Sequence, residues 1–137
     1  MLVEVLDREL LRLTDELRLQ LAASSDLPAL LDCYLDFLTR EEDFFAVLAQ
    51  EMPRYPPPLR RSVMGREAGV RAYFYRAIES AVAGGTCKPV DITMLLNFLF
   101  GTLAYLLSLR QPFAGDGSVI DAKRQALADT FLQLISI

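Results

Sequence analysis

One acidic residue stands in an otherwise apolar helical stripe near the middle of the chain. Glu67 shares this stripe with Val63, Val70 and Phe74, which lie three to seven positions away from it, so all four occupy one face of a helix. An unpaired carboxylate on such a face is costly, and Arg71, one turn later, is placed to form an ion pair with it. A position in a ligand pocket, facing a cationic or hydroxylated ligand, is therefore one hypothesis for Glu67, and a structural ion pair with Arg71 is the alternative.

Aromatic and sulfur-containing side chains recur on the helices around Glu67. Soft, irregular surfaces of this kind suit apolar ligands. The candidate ligand-binding residues are Tyr34, Phe37, Met64, Glu67, Phe74 and Phe98. Simple packing in the core is the alternative for each of the apolar ones, and the sequence leaves both interpretations open.

The composition excludes most catalytic chemistry. The 137 residues contain no histidine, which removes the commonest general base and every histidine-containing metal site. Cys33 and Cys87 form no CxxC pair and fit a reducing compartment. No GxSxG, HExxH or GxxxxGK[ST] motif occurs, so we expect no enzymatic activity, no metal site and no cofactor.

Charge and hydropathy limit the class of partner. The net charge of −4 argues against nucleic acid as the main partner of this segment. The hydrophobic fraction of 53% predicts a core and further surface that a partner covers. The acidic run Glu41-Glu42-Asp43 is interpreted as the solvated start of a helix. Charges at Glu4, Asp7 and Arg8 leave no room for a secretory signal, so we expect a cytoplasmic protein.

Apolar residues recur at helical spacing along the whole chain. This pattern predicts an all-α fold of about six helices in a single domain that spans residues 1–137. The first helix is predicted over residues 1–23, and its apolar stripe consists of Val3, Leu6, Leu10, Leu13 and Leu17.

Local signals divide this pattern into helices. The predicted N-caps are Asp26, Asp91 and Ser118. Gly84-Gly85 is predicted to end a long helix. Thr39–Glu42 is interpreted as a capping box that opens the third helix. Residues 111–117 are predicted to form a loop before the last helix, because they contain two glycines and a proline.

The segment Ile92–Leu109 is apolar on every side and carries no charge. Such a helix is buried on every side or lies in lipid. At 1.5 Å per residue it reaches roughly 27 Å, about the thickness of a bilayer core. Its small and polar residues and the lack of tryptophan argue against lipid. A small membrane-associated protein therefore stays the least favoured alternative.

Outside lipid, this helix needs both its own core and a second partner. Its small residues would let another helix approach closely, and the last helix offers an apolar face beside it. Two helices from each of two chains would form a twofold-symmetric four-helix bundle. The predicted homodimer interface consists of Asn97, Gly101, Ala104, Ser108, Leu127, Phe131 and Leu134. Packing of the small residues against a helix of the same chain is the alternative.

Several stretches resemble the C-terminal domain of TetR-family transcriptional regulators. They are Leu30–Leu38, Ile78–Gly85, and Lys88–Asp91 leading into the apolar helix with Gly101. The opening Leu2–Leu6 is similar to the helix that follows the family's DNA-binding head. The resemblance implies that the last two helices form the dimer bundle and that a ligand cavity lies among the middle helices.

The same resemblance implies a bacterial repressor in which DNA binding and effector sensing belong to separate domains. The family's N-terminal head carries a helix-turn-helix, and nothing in residues 1–40 has that pattern. We therefore expect this chain to be a homodimer that senses a small apolar effector and reaches DNA only through such a head. A headless homodimer that binds a small molecule or a protein is the alternative.

Overall fold

Helices form nearly all of the chain in the computed structural model. It describes residues 2–24, 26–115 and 117–137, apart from the side chains of Leu2, Val3 and Phe113. The helices are α1 (Leu2–Ala22), α2 (Leu27–Arg40), α3 (Glu42–Glu51), α4 (Pro57–Ala83), α5 (Ile92–Ser108), α6 (Arg110–Ala114) and α7 (Val119–Ile135). A 3₁₀ turn at Met52–Arg54 joins α3 to α4. The prediction of an all-α fold is confirmed.

The helix ends that were predicted from local sequence signals are confirmed. Asp26, Asp91 and Ser118 each accept a hydrogen bond of 2.8–3.0 Å from the backbone amide three residues later, which satisfies an otherwise unpaired donor of the first turn. Gly85, just beyond the end of α4, has φ +79°, a conformation that favours glycine.

The capping box predicted at Thr39–Glu42 is wrong. The Thr39 hydroxyl donates to the carbonyl of Leu35 at 2.8 Å, so it bonds back into α2, which continues to Arg40. Glu41, at the start of α3, makes no capping hydrogen bond with its side chain. A threonine hydroxyl can serve either role, so the residue spacing alone did not distinguish them.

The loop predicted over residues 111–117 is wrong for its first half. Arg110–Ala114 forms the short helix α6, which ends at Gly115 with φ +58°. Pro112 lies in the first turn of α6, where its missing N–H breaks no helical hydrogen bond. The described residues therefore hold seven α-helices instead of the six predicted.

Buried aromatic rings connect the central helices. Tyr34 of α2, Phe74 of α4 and Phe100 of α5 surround one another with ring centroids 5.4–5.7 Å apart. Each such pair stabilises the fold by about 0.5–1.5 kcal/mol beyond the area it buries. Leu13 and Leu17 of the predicted α1 stripe are fully buried against this core, whereas Val3 lies outside the described side chains.

Helix α5 is covered on one side only. Leu95, Leu99 and Leu103 are buried in the core, whereas Phe98 and Tyr105 on the other side are 59% and 57% exposed. Among the described residues, no helix combines the length and hydropathy needed to cross a lipid bilayer.

Candidate functional site

A cavity of about 260 Å³ lies between the first five helices, α1 to α5. Its wall is mainly apolar, and all five helices contribute side chains to it. The apolar lining residues include Leu10, Phe37, Leu48, Val70, Phe100 and Leu103. The volume lies just below the range of about 300–1,000 Å³ that is usual for small-molecule pockets, so the cavity suits a compact ligand.

Polar groups interrupt the apolar wall at Thr14, Tyr34, Arg66 and Glu67. The Oε2 atom of Glu67 lies 3.6 Å from Nε of Arg71, which confirms the predicted ion pair. Burial raises the pKa of Glu67, and the positive charge of Arg71 opposes this increase. The positive charge of Arg71 therefore offsets only part of the effect that burial has on the Glu67 carboxylate.

Arg71 is held on several sides. Its Nη1 donates to Oδ1 of Asn97 on α5 at 2.7 Å, and its guanidinium lies 4.8 Å from the centroid of the Phe100 ring. The contact with Glu67 completes this arrangement. These contacts fix Arg71 between α4 and α5, behind the cavity wall.

Tyr34 presents a neutral hydroxyl beside Glu67. Burial raises the pKa of Tyr34, and the negative charge of Glu67 raises it further. Among the described residues, this hydroxyl has no hydrogen-bond partner. Every described side-chain nitrogen or oxygen that is fully shielded from solvent has a partner, so the hydroxyl oxygen of Tyr34 keeps some exposed surface. The hydroxyl is therefore accessible and available to a molecule in the cavity.

The structure brings together four of the six candidate ligand-binding residues. Tyr34, Phe37 and Glu67 line the cavity, and Met64 joins them at its rim, where it is 62% exposed. Phe74 lies behind the wall and packs on the ring of Tyr34.

Phe98 is separated from the other candidates by the thickness of α5, because it projects away from the cavity. The contributions of α1 and α3 to the cavity wall were not predicted from the sequence. The leucine stripe of α1 was visible in the sequence, but nothing in it showed which space that stripe would face.

A second apolar surface lies between α5 and α7 on the outside of the chain. We call this the α5–α7 groove; it is lined by Phe98, Leu99, Thr102, Leu106, Lys123, Ala126, Leu127, Thr130, Phe131 and Leu134. Leu127, Phe131 and Leu134, the α7 residues predicted at a dimer interface, all line it. Leu134 is 46% exposed in the single chain. The groove is therefore an apolar face that this chain does not cover.

The small residues predicted beside them do not line this groove, and Asn97, Gly101 and Ala104 are exposed on α5. Asn97 is turned towards Arg71 of α4, and Ala104 lines the cavity. Ser108 bonds within α5, to the carbonyl of Tyr105. A Cβ atom placed on Gly101 would meet nothing within 4 Å. Packing within the chain thus gives no reason for a glycine at this position.

The prediction of a solvated helix start at Glu41-Glu42-Asp43 is confirmed for Asp43, whose side chain is 91% exposed, and is wrong for Glu42. Glu42, between Glu41 and Asp43, is only 3% exposed. Its carboxylate accepts hydrogen bonds from the backbone amides of Val119 and Ile120 at 3.1 and 2.9 Å. A side chain of α3 therefore caps the N-terminus of α7.

A known protein family matches the central part of the chain. Residues 20–108 match the family described as tetracyclin repressor-like, C-terminal domain. The match covers more than half of the chain and includes the whole of α2, α3, α4 and α5. No curated protein and no solved structure matches the chain significantly.

Proposed function

Because the chain belongs to the family of tetracyclin repressor-like C-terminal domains, we propose that it is the effector-sensing and dimerising domain of a cytoplasmic transcriptional regulator. The observation that carries this proposal is the double role of α5. Phe100 and Leu103 of α5 line the cavity, whereas Phe98 and Leu106 line the α5–α7 groove. A ligand that shifts α5 therefore changes both surfaces at once.

The partner proposed for the α5–α7 groove is a second copy of this chain. Large apolar side chains such as Phe98 and Leu134 are half-exposed there, and a single chain leaves them in water. Two helices from each chain would form a twofold-symmetric four-helix bundle. The same surface of each copy would then be buried against the other.

Ligand binding has a second route to the dimer bundle through α3. Phe45 and Leu48 of α3 line the cavity, and Glu42 at the start of the same helix caps α7. A ligand that displaces α3 would therefore move the start of α7. In a regulator that joins this domain to a DNA-binding head, such a shift would change the spacing of the two heads.

The oligomeric state tests the dimer part of this proposal. Leu134→Arg places a charge in the α5–α7 groove, and Leu19→Arg is the matched control, because Leu19 lies on α1 and is 77% exposed. We expect a dimer mass by light scattering for the unaltered chain and for Leu19→Arg. Leu134→Arg should weaken dimerisation about 100-fold or more, since the charge would be buried without a partner.

Circular dichroism of both variants checks that the helices are intact. A monomer mass for the unaltered chain at micromolar concentration would contradict the proposed dimer. So would a Leu134→Arg variant that remains as dimeric as the Leu19→Arg control.

A further inference from the structure

The polar part of the cavity wall is rich in hydrogen-bond acceptors. Thr14 of α1 is 5% exposed, and its hydroxyl donates to the carbonyls of Leu10 and Leu11 at 2.7 and 3.3 Å. The hydroxyl proton of Thr14 therefore already takes part in hydrogen bonds within α1. Only the lone pairs of the Thr14 oxygen remain for a ligand.

Glu67 offers further acceptor sites. The contact of 3.6 Å with Nε of Arg71 is an ion pair that is longer than a hydrogen bond. Arg71 directs Nη1 to Asn97 instead, at 2.7 Å. The Glu67 carboxylate, which is acceptor-only when ionised, thus keeps most of its hydrogen-bonding capacity.

The helix arrangement brings these groups to one region of the wall. Helices α1 and α4 run side by side in the same direction, because Ser62 donates to Asp7 near their starts and the end of α1 shares a surface groove with the second half of α4. The middle of α1, with Thr14, therefore lies level with Glu67 of α4. Tyr34 and Glu67 line the same cavity, and the negative charge of Glu67 adds to the increase in the pKa of the Tyr34 hydroxyl.

We propose that the cavity binds a compact amphiphilic amine whose ammonium group donates to Thr14, Tyr34 and Glu67. This inference rests on the proposed sensing function and specifies its ligand class. An ammonium group has three donors and no acceptor, so it matches the acceptors that the wall leaves open. A cavity of 150 Å³ holds benzene, so by proportion a cavity of about 260 Å³ holds an apolar body of about ten non-hydrogen atoms.

Arg66 is the competing influence on ligand choice. It lines the same cavity, and its guanidinium would favour an anionic head group. Arg71 does not act in the same way, because Asn97 and the Phe100 ring hold its guanidinium behind the wall. Ligands of opposite charge on one apolar body therefore separate the influence of Glu67 from that of Arg66.

Three probes with the same apolar body test the proposal: phenylbutylamine, phenylbutyrate and butylbenzene. Their affinities for the whole chain are measured by isothermal titration calorimetry. We expect the amine to bind about tenfold more tightly than the other two probes, as one charge-assisted hydrogen bond provides. Glu67→Gln should weaken binding of the amine about tenfold and leave butylbenzene unchanged.

Two further variants complete the design. Thr14→Val keeps the shape of the side chain and removes the acceptor, so it should weaken binding of the amine only. Glu79→Gln is the matched control, because Glu79 is an exposed carboxylate on the same helix, α4. It should bind all three probes as the unaltered chain does.

Failure of the amine assignment and failure of the proposed sensing role would give different binding results. Tightest binding of phenylbutyrate would overturn the amine assignment and leave the sensing function in place. Equal loss of the amine and of butylbenzene in Glu67→Gln would also overturn it, because Glu67 would then act only on the shape of the cavity. If none of the three probes binds, both the sensing role of the cavity and the amine assignment fail.

Discussion

The Oε2 atom of Glu42 lies 3.0 Å from Nε of Arg110, and this ion pair joins the start of α3 to α6. Glu42 also accepts a hydrogen bond of 2.7 Å from the Ser118 hydroxyl and takes up the first amides of α7. Amides in a first helical turn have no partner within their own helix. One buried carboxylate therefore ties the cavity-lining helix α3 to a helix of the proposed dimer face.

Removal of this carboxylate should strongly destabilise the fold. We expect Glu42→Ala to lower the free energy of unfolding by about 3 kcal/mol, because it leaves buried amides without an acceptor and Arg110 without its buried partner. Urea denaturation measures the change. Asp43→Ala is the control, since Asp43 also pairs with Arg110 but has a side chain that is 91% exposed; its effect should stay below about 1 kcal/mol.

A loss of less than about 1 kcal/mol in Glu42→Ala would show that the cap contributes little to stability. The role of Glu42 was not predictable from the sequence, because its partners Ser118, Val119 and Ile120 lie 76 to 78 positions away. The caps at Asp26 and Asp91, by contrast, were predicted correctly. Each of them depends only on an amide three residues later.

The same contrast between local and long-range contacts explains why only some of the cavity-lining residues were predicted from the sequence. Glu67 lines the cavity together with Val63 and Val70, because all three share one stripe of α4 and their spacing showed which side of this helix faces inwards. Phe98 lies on α5, which is apolar all round, so periodicity carried no information about direction. Thr14 gave no signal, since its hydroxyl bonds within α1, and only tertiary packing brings it to the cavity.

Gly101 and Gly65 form a matched pair of exposed helical glycines. A Cβ atom at either position meets nothing within 4 Å, so Gly→Ala should stabilise each helix by about 0.5–1 kcal/mol. Thermal unfolding at low protein concentration measures this gain. If a second copy approaches α5 closely at Gly101, Gly101→Ala should also weaken dimerisation, whereas Gly65→Ala should not. A loss of stability in both variants would contradict the open surroundings of these residues.

Arg71 should contribute more to stability than an exposed arginine with a similar ring contact. Arg71→Met keeps much of the apolar stem but removes the contacts with Glu67, Asn97 and Phe100. We expect a loss of about 1–2 kcal/mol in the free energy of unfolding.

Arg76→Met is the comparison for Arg71→Met. Arg76 is exposed, and its guanidinium lies 4.9 Å from the centroid of the Tyr73 ring, so its loss should cost at most about 0.5 kcal/mol. Equal effects of the two variants would show that the contacts between α4 and α5 at Arg71 add nothing.

Glu67 should make the free energy of unfolding decrease as the pH rises, because burial raises the pKa of its carboxyl group. Burial raises the folded-state pKa above the ordinary value of 4.5, and Arg71 only partly opposes this increase. The folded state therefore favours the protonated carboxyl. The stabilisation linked to Glu67 is fully present below the unfolded pKa and is lost as the pH rises through the folded pKa.

Glu67→Gln removes this titration, so its stability relative to the unaltered chain should increase as the pH rises from about 4 to about 7. Denaturant unfolding at several pH values measures the difference, and Glu79→Gln, on the exposed side of the same helix, is the control. A difference between Glu67→Gln and the unaltered chain that stays constant over this range would contradict the prediction. A change of the opposite sign would mean that the pairing with Arg71 outweighs the burial of Glu67.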